Sequence, residues 1–184
     1  MTDEDIPSRR RDLLTLLHGA VIAGMTRHSW LPVPTAGDDP GFAPELAFSR
    51  TAGPLFITLD SGAVIGAASQ PSLISVTLWL DRLQHGRGDA ELRMIEADDP
   101  HFSQARFARM LGKRVASIAI LVRSPENVKW QDRPRQAGVI LGLDGAADLV
   151  LSHGLHDDSD DFSVVTRDDV KPSLWPRLQE VPFS

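Results

Sequence analysis

Apolar side chains recur at three- and four-residue spacing near the start of the chain: Leu14, Leu17, Val21 and Met25, continued by His28, share one stripe, with Arg11, Thr15 and His18 mostly outside it. That period is helical. Ser8 is placed to act as N-cap, and Asp12 lies near the first turn, where a carboxylate complements the helix dipole. The pattern predicts an amphipathic helix reaching His28, with Gly19 and Gly24 marking close approach to another backbone. Residues 32–54 then interrupt any regular element with Pro32, Pro34, Pro40, Pro44 and Pro54 and read as one long connection that covers the core or forms a contact arm.

From Leu55 onward the apolar runs become short. Leu55-Phe56-Ile57-Thr58-Leu59, the turn Asp60-Ser61-Gly62 and the run 63–68 predict a β-hairpin, since Gly accepts positive φ and Asp bonds its own turn. Residues 73–80 are almost continuously apolar and read as a central strand; 90–97 predict a fourth strand beyond a polar, Gly-punctuated loop at 81–89. Residues 102–113 hold helix formers and end near Gly112. The window 115–122 is the most strand-like and is expected at a sheet centre, followed by a polar loop at 125–135. A second hairpin spans 137–143 and 148–152 around Asp144-Gly145. Ile57-Thr58-Leu59-Asp60-Ser61-Gly62-Ala63 is echoed by Leu141-Gly142-Leu143-Asp144-Gly145-Ala146, and residues 72–77 by 161–166. The expectation is an α+β fold over a single domain, 1–184. Its antiparallel sheets come from two related β-meander units (an internal repeat, 54–80 and 137–166), with the N-terminal helix, a short central helix and an extended or helical tail at 172–182 anchored by Leu174, Trp175 and Val181.

Composition narrows the chemistry more than the fold. Hydrophobic residues at 42% and charged residues at 24% fit a soluble globular chain and exclude disordered or collagen-like ones. The absence of cysteine excludes disulfides, zinc-thiolate sites, iron–sulfur clusters and a cysteine nucleophile. A net charge of -6, from 19 basic and 25 acidic side chains, has the wrong sign for binding nucleic acid or an anionic membrane. Arg9-Arg10-Arg11 and the apolar run after them look like a twin-arginine export signal, so an exported protein is the alternative. The run instead meets Thr26-Arg27-His28-Ser29-Trp30 without an Ala-x-Ala-like cleavage site, and it is shorter than the ~20 residues of a membrane span. A structural helix and a cytoplasmic location are expected.

His153-Gly154-Leu155-His156-Asp157-Asp158-Ser159-Asp160-Asp161 is where imidazoles and carboxylates crowd together. No histidine pair there has the i, i+4 spacing of zinc proteases. A calcium-loop count from Asp157 meets Phe162 where glycine is required and Asp168 where glutamate is required. The segment is read as an acidic hairpin loop, with a metal site at His153, His156 and Asp157 as the alternative. There is no Gly-x-Ser-x-Gly elbow, Ser61 is explained by its turn, and Gly62, Gly66, Gly86 and Gly88 form no phosphate loop, so no cofactor is expected. Trp79 is read as core and Trp130, beside Lys129, Gln131, Asp132 and Arg133, as an exposed anchor. Residues 104–135 carry a net +6 and 141–170 a net -7. Such segregation means either mutual neutralisation of neighbouring elements or a surface of one sign that selects a partner.

Small size, acidity, paired meanders and the absence of a catalytic constellation resemble small acidic bacterial immunity and accessory proteins, which neutralise or escort a partner protein by covering it. The resemblance implies a non-catalytic protein-binding module. From the charge pattern, Asp157, Asp158, Asp160, Asp161 and Trp130 are the candidate partner-binding residues. A small hydrolase or metal-dependent enzyme using His153, His156 and Asp157 to Asp161 is the alternative. A further expectation is a homo-oligomer in which the strands at 115–122 and 73–80 continue a sheet across a two-fold axis.

Overall fold

The computed structural model describes residues 3–29, 43–51, 53–82, 93–126 and 128–184. Strands β1 (Ile22–Ser29), β2 (Leu55–Leu59), β3 (Val64–Gln70), β4 (Ser75–Leu80) and β5 (Arg93–Glu96) form one antiparallel sheet in the order β4-β3-β2-β1-β5. Strands β6 (Val115–Arg123), β7 (Gln136–Leu143), β8 (Leu149–His153), β9 (Phe162–Thr166) and β10 (Leu178–Pro182) form a second, in the order β10-β6-β7-β8-β9. Among the described residues three short helices accompany them: α1 (Arg11–Leu17), α2 (Ala47–Arg50) and α3 (Ala105–Ala108). The fold is α+β, and no helix among the described residues is long and apolar enough to cross a membrane.

The sheets share one core. Met25, Ile57, Ile65 and Val76 of the first meet Ile118, Val139, Leu141, Leu149 and Val164 of the second, and Leu14, Leu17, Phe107 and Met110 close the cluster. Truncating a buried leucine of this kind to alanine typically costs about 2–5 kcal/mol. A smaller cluster lies on the outer face of the second sheet, where Leu155, Val170 and Leu174 cover Ile140, Val150 and Val165. All eight residues of β7 are therefore buried, which accounts for its nearly unbroken apolar run.

The two sheets repeat one topology, a four-strand meander with the fifth strand added beside the first. The first hairpins correspond residue by residue: Ile22 pairs with Leu59 and Met25 with Ile57, as Val115 pairs with Leu143 and Ile118 with Leu141. Both contain a register shift at the same place, between Ile22 and Gly24 and between Val115 and Ser117. Where the halves meet, their backbones exchange bonds reciprocally. Gly19 N–H donates to Val115 O and Gly112 N–H to Ile22 O, both at 2.8 Å; Ile22 N–H donates to Lys113 O and Val115 N–H to Ala20 O, both at 2.9 Å. Such an exchange is the pattern of an isologous, two-fold contact. Gly19 (φ +83°) and Gly112 (φ +75°) sit in the left-handed region that lets each chain segment turn into its strand.

The helical reading of the N-terminus requires correction. The helix ends at Leu17, and Ile22–Ser29 is a strand paired with both β2 and β5. Its N-cap is Arg10, while Ser8 lies in a preceding 3₁₀ turn, Pro7–Arg9. Within the long connection, the described residues include a 3₁₀ turn, Pro44–Leu46, and α2; Pro32, Pro34, Pro40 and Trp30 lie outside the described residues, as do Gly86 and Gly88 of the loop at 81–89. The strand expected at 73–80 starts at Ser75 and stands at a sheet edge, where Arg10 Nη1 donates to Leu78 O at 3.0 Å. The strand at 115–122 is paired on both sides, by β10 and β7, so it has no edge to offer a second copy. The tail forms β10.

Gly66 lets the half-buried Trp79 ring lie across β3 and reach Phe56 in an edge contact at 6.0 Å; a Cβ at Gly66 would stand 2.1 Å from Trp79 Cε2. Gly66→Ala is expected to lower unfolding free energy by about 1–3 kcal/mol, the usual range for overpacking. In a Trp79→Val background the same substitution should cost much less, giving a measurable coupling in a denaturant double-mutant cycle.

Candidate functional site

The β3–β4, β6–β7 and β8–β9 connections gather at one end of the sandwich, and the candidate residues lie there. The β8–β9 loop is pinned by its own backbone: Gly154 N–H donates to Asp161 O at 3.0 Å and Asp158 N–H to Gly154 O at 2.8 Å. Gly154 has φ +66°, and a Cβ there would come within 1.9 Å of Ser159 O, so this position requires glycine. Asp157 Oδ1 accepts the Ser159 N–H at 3.0 Å in an Asx turn, and Asp158 itself has φ +74°.

The four aspartates divide in role. Asp158, its side chain 38% exposed, is tied to the second sheet: its Oδ1 accepts from Arg123 Nη2 at 2.6 Å, and Glu126 binds the same nitrogen. Arg123, only 5% exposed, also faces the ring of Trp130 at 5.9 Å, so one buried guanidinium joins two residues singled out from sequence. Trp130 is half-buried rather than freely exposed. Asp157 and Asp160 turn outward, their side chains 49% and 87% exposed, and Asp161 is exposed. The two oppositely charged segments do neutralise each other in part, through Arg123 with Asp158 and Arg106 with Asp169 at 2.9 Å.

His153 and His156 point to different partners. His153, 1% exposed, bonds through Nδ1 to Ser69 Oγ of β3, while its Nε2 is 3.9 Å from Asp160 Oδ1. His156 Nε2 is 3.1 Å from Asp157 Oδ2. Among the described residues, no three His, Asp or Glu side chains gather into a metal-binding group. Burial pushes both histidines below their ordinary value, with Asp160 and Asp157 respectively opposing. For Asp157, burial raises the pKa, but the hydroxyl and N–H of Ser159 more than offset it and the carboxyl falls below the usual range.

Sequence reasoning did not identify Ser69, Arg123 or Arg27. Ser69 and His153 are 84 positions apart and Arg123 and Asp158 are 35 apart, so no local spacing announces either contact. Arg27, on β1, is fully buried. Its Nη2 donates to the Thr51 carbonyl and to Phe162 O at 2.9 Å, and its guanidinium lies 4.5 Å from the centre of the Phe162 ring. Among the described residues Nε and Nη1 meet no acceptor, and burial pushes the pKa down to about 9. Nearby in the loop end, a cleft of about 640 Å³ runs between Ser8, Arg9, Leu73, Arg133 and Gln136. Gln136 closes its floor, accepting the Ser8 N–H at 2.8 Å, and two non-glycine residues with positive φ, Ile74 and Arg135, lie beside it. The chain matches no protein-family model, no curated protein and no solved structure.

Because His153 and His156 titrate below 6.5 when folded, the unfolded chain binds more protons than the folded one as pH falls past that value. Their contribution is complete above pH 6.5 and is lost below it, before the carboxylates titrate. Urea unfolding should therefore give a falling free energy between pH 7 and pH 5, with a flatter slope for His153→Gln/His156→Gln. An unchanged slope in the double variant would assign the loss to other groups.

Proposed function

We propose that this protein is a cytoplasmic, non-catalytic protein-binding module, of the immunity or accessory kind, that meets a basic partner with its β8–β9 loop. The observation that carries this reading is the preorganisation of the loop. Asp158 is committed to Arg123, Asp157 to the Ser159 N–H and His156, and the backbone is bonded to itself, so Asp160 and Asp161 are presented outward on a fixed frame. A charged surface held in one geometry raises encounter rate and selects partner sign without ordering cost on binding.

Wild-type protein immobilised at low salt should retain a basic protein from source-cell lysate. Asp160→Asn/Asp161→Asn should slow its association several-fold and flatten the salt dependence, while changing folding by no more than about 0.5 kcal/mol per site. Equal rates and equal salt slopes would remove the loop from the interface.

One contact favours a second reading, a small hydrolase. Ser69 Oγ against His153 Nδ1, with Asp160 beyond Nε2, has the order of nucleophile, base and orienting carboxylate. At 3.9 Å the carboxylate is outside hydrogen-bond distance. In this reading Ser69 Oγ bonds to an acyl or phosphoryl centre as His153 takes its proton, the bond to the leaving group breaks with that proton passed to it, and water then cleaves the Ser69 ester and restores the serine. A fluorophosphonate probe should then label the wild type and leave Ser69→Ala unlabelled; absence of labelling in the wild type would dismiss the hydrolase.

A further inference from the structure

Arg27 is a costly residue for its position. Taking a guanidinium wholly out of water without a carboxylate forfeits hydration that two carbonyl acceptors and one aromatic face do not replace. Three of its five N–H donors, one on Nε and two on Nη1, have no acceptor among the described residues. The fold does not require a cation here. Arg27 pairs with Leu55 two positions beyond the Met25–Ile57 pair, and Ile120 pairs with Val139 two positions beyond the Ile118–Leu141 pair. Ile120 thus fills the corresponding place in the second sheet and belongs to the shared core.

The surroundings have the chemistry of an oxyanion site. Ser29, two residues along β1 and on the same face, bonds through its hydroxyl to that of Thr51 at 2.5 Å, and Thr51 also supplies a carbonyl to Arg27. A cation and two hydroxyls therefore stand together beside an aromatic ring. The guanidinium fork and paired hydroxyls suit the planar or tetrahedral oxygens of a small anion.

We propose that Arg27 forms an internal site for a single oxyanion group, either the carboxylate of a small organic acid or a phosphate. The anion docks at Nε and Nη1, the donors left without an acceptor among the described residues, and reaches them by local opening of the structure. This site is separate from the acidic surface and takes ligands of opposite charge, so either can fail without the other.

The test is thermal unfolding of the full chain in sodium phosphate and in sodium acetate, each against sodium chloride at equal ionic strength, for wild type and Arg27→Met. A ligand that binds only the folded state raises the melting temperature and saturates as its site fills. Wild type should gain several degrees in one of the two anions, and Arg27→Met should gain none while remaining at least as stable as wild type in chloride. A response to phosphate alone identifies a phosphate-type ligand, and a response to acetate alone a carboxylate. Calorimetric titration of wild type with the responding anion supplies a second readout that needs no variant. No saturable shift in either anion, or an equal shift in Arg27→Met, would overturn the proposal.

Discussion

The reciprocal backbone bonds between residues 19–22 and 112–115 fix how everything else in the molecule meets. A β-sheet with one apolar face has no preferred partner until its register against that partner is set. Here the register is set by main-chain atoms, with Gly19 and Gly112 each giving an N–H to the opposite strand. Because both halves contribute the same atoms, equivalent residues come face to face. Ser69 lies four residues beyond Ile65 and His153 four beyond Leu149, and Ile65 and Leu149 hold matching places opposite Ile57 and Leu141. Their side chains bond to each other. A second fastening lies at the loop end: Arg135 N–H donates to Leu73 O at 3.2 Å and Gln136 N–H to Ser75 Oγ at 3.0 Å. The apolar core fills the space between these two ties.

Hairpin punctuation was plain in the amino-acid order because it is local. Asp60-Ser61-Gly62 and Asp144-Gly145 each carry a glycine with positive φ, and both stand between paired strands. The helical stripe at the N-terminus misled for a definite reason. A bulged strand carries two residues where its partner carries one. The register shift at Ala23 turns Ile22 and Met25 inward together, three positions apart, so the apolar spacing of this strand continues that of the helix before it, and Val21, next to Ile22, falls into the apparent stripe. The same shift puts Val115 and Ile118 inward in β6. Nothing in the apolar run of β4 revealed that it stands at an edge, because its first four residues are buried and Arg10 of the N-terminal segment bonds the Leu78 carbonyl there. Burial can be read from apolar runs, but the identity of the covering element cannot.

The acidic loop was legible as composition and illegible as structure. Four aspartates within five residues look interchangeable in the sequence, yet their partners are set by Arg123, which arrives from β6 in a different part of the chain. Arg123 is also where the two charge-segregated stretches meet. Burial disfavours its charge, but Asp158 and Glu126 more than compensate and the pKa is raised.

The contrast between Arg123 and Arg27 shows what the charge layout accomplishes. Both guanidiniums are nearly or wholly excluded from solvent and both rest against aromatic rings. One is balanced by carboxylates drawn from the loop and from Glu126, while the other has only carbonyl oxygens and so titrates low. By giving up one aspartate to Arg123, the loop relieves repulsion among the remaining three and fixes its own backbone. Its outward charges can then persist in a set geometry without folding depending on each of them. That separation between the carboxylates that hold the frame, Asp158 on Arg123 and Asp157 on the Ser159 N–H, and Asp160 and Asp161, which face solvent, is what a surface needs if its charge is to act on encounter with a partner and leave stability largely untouched.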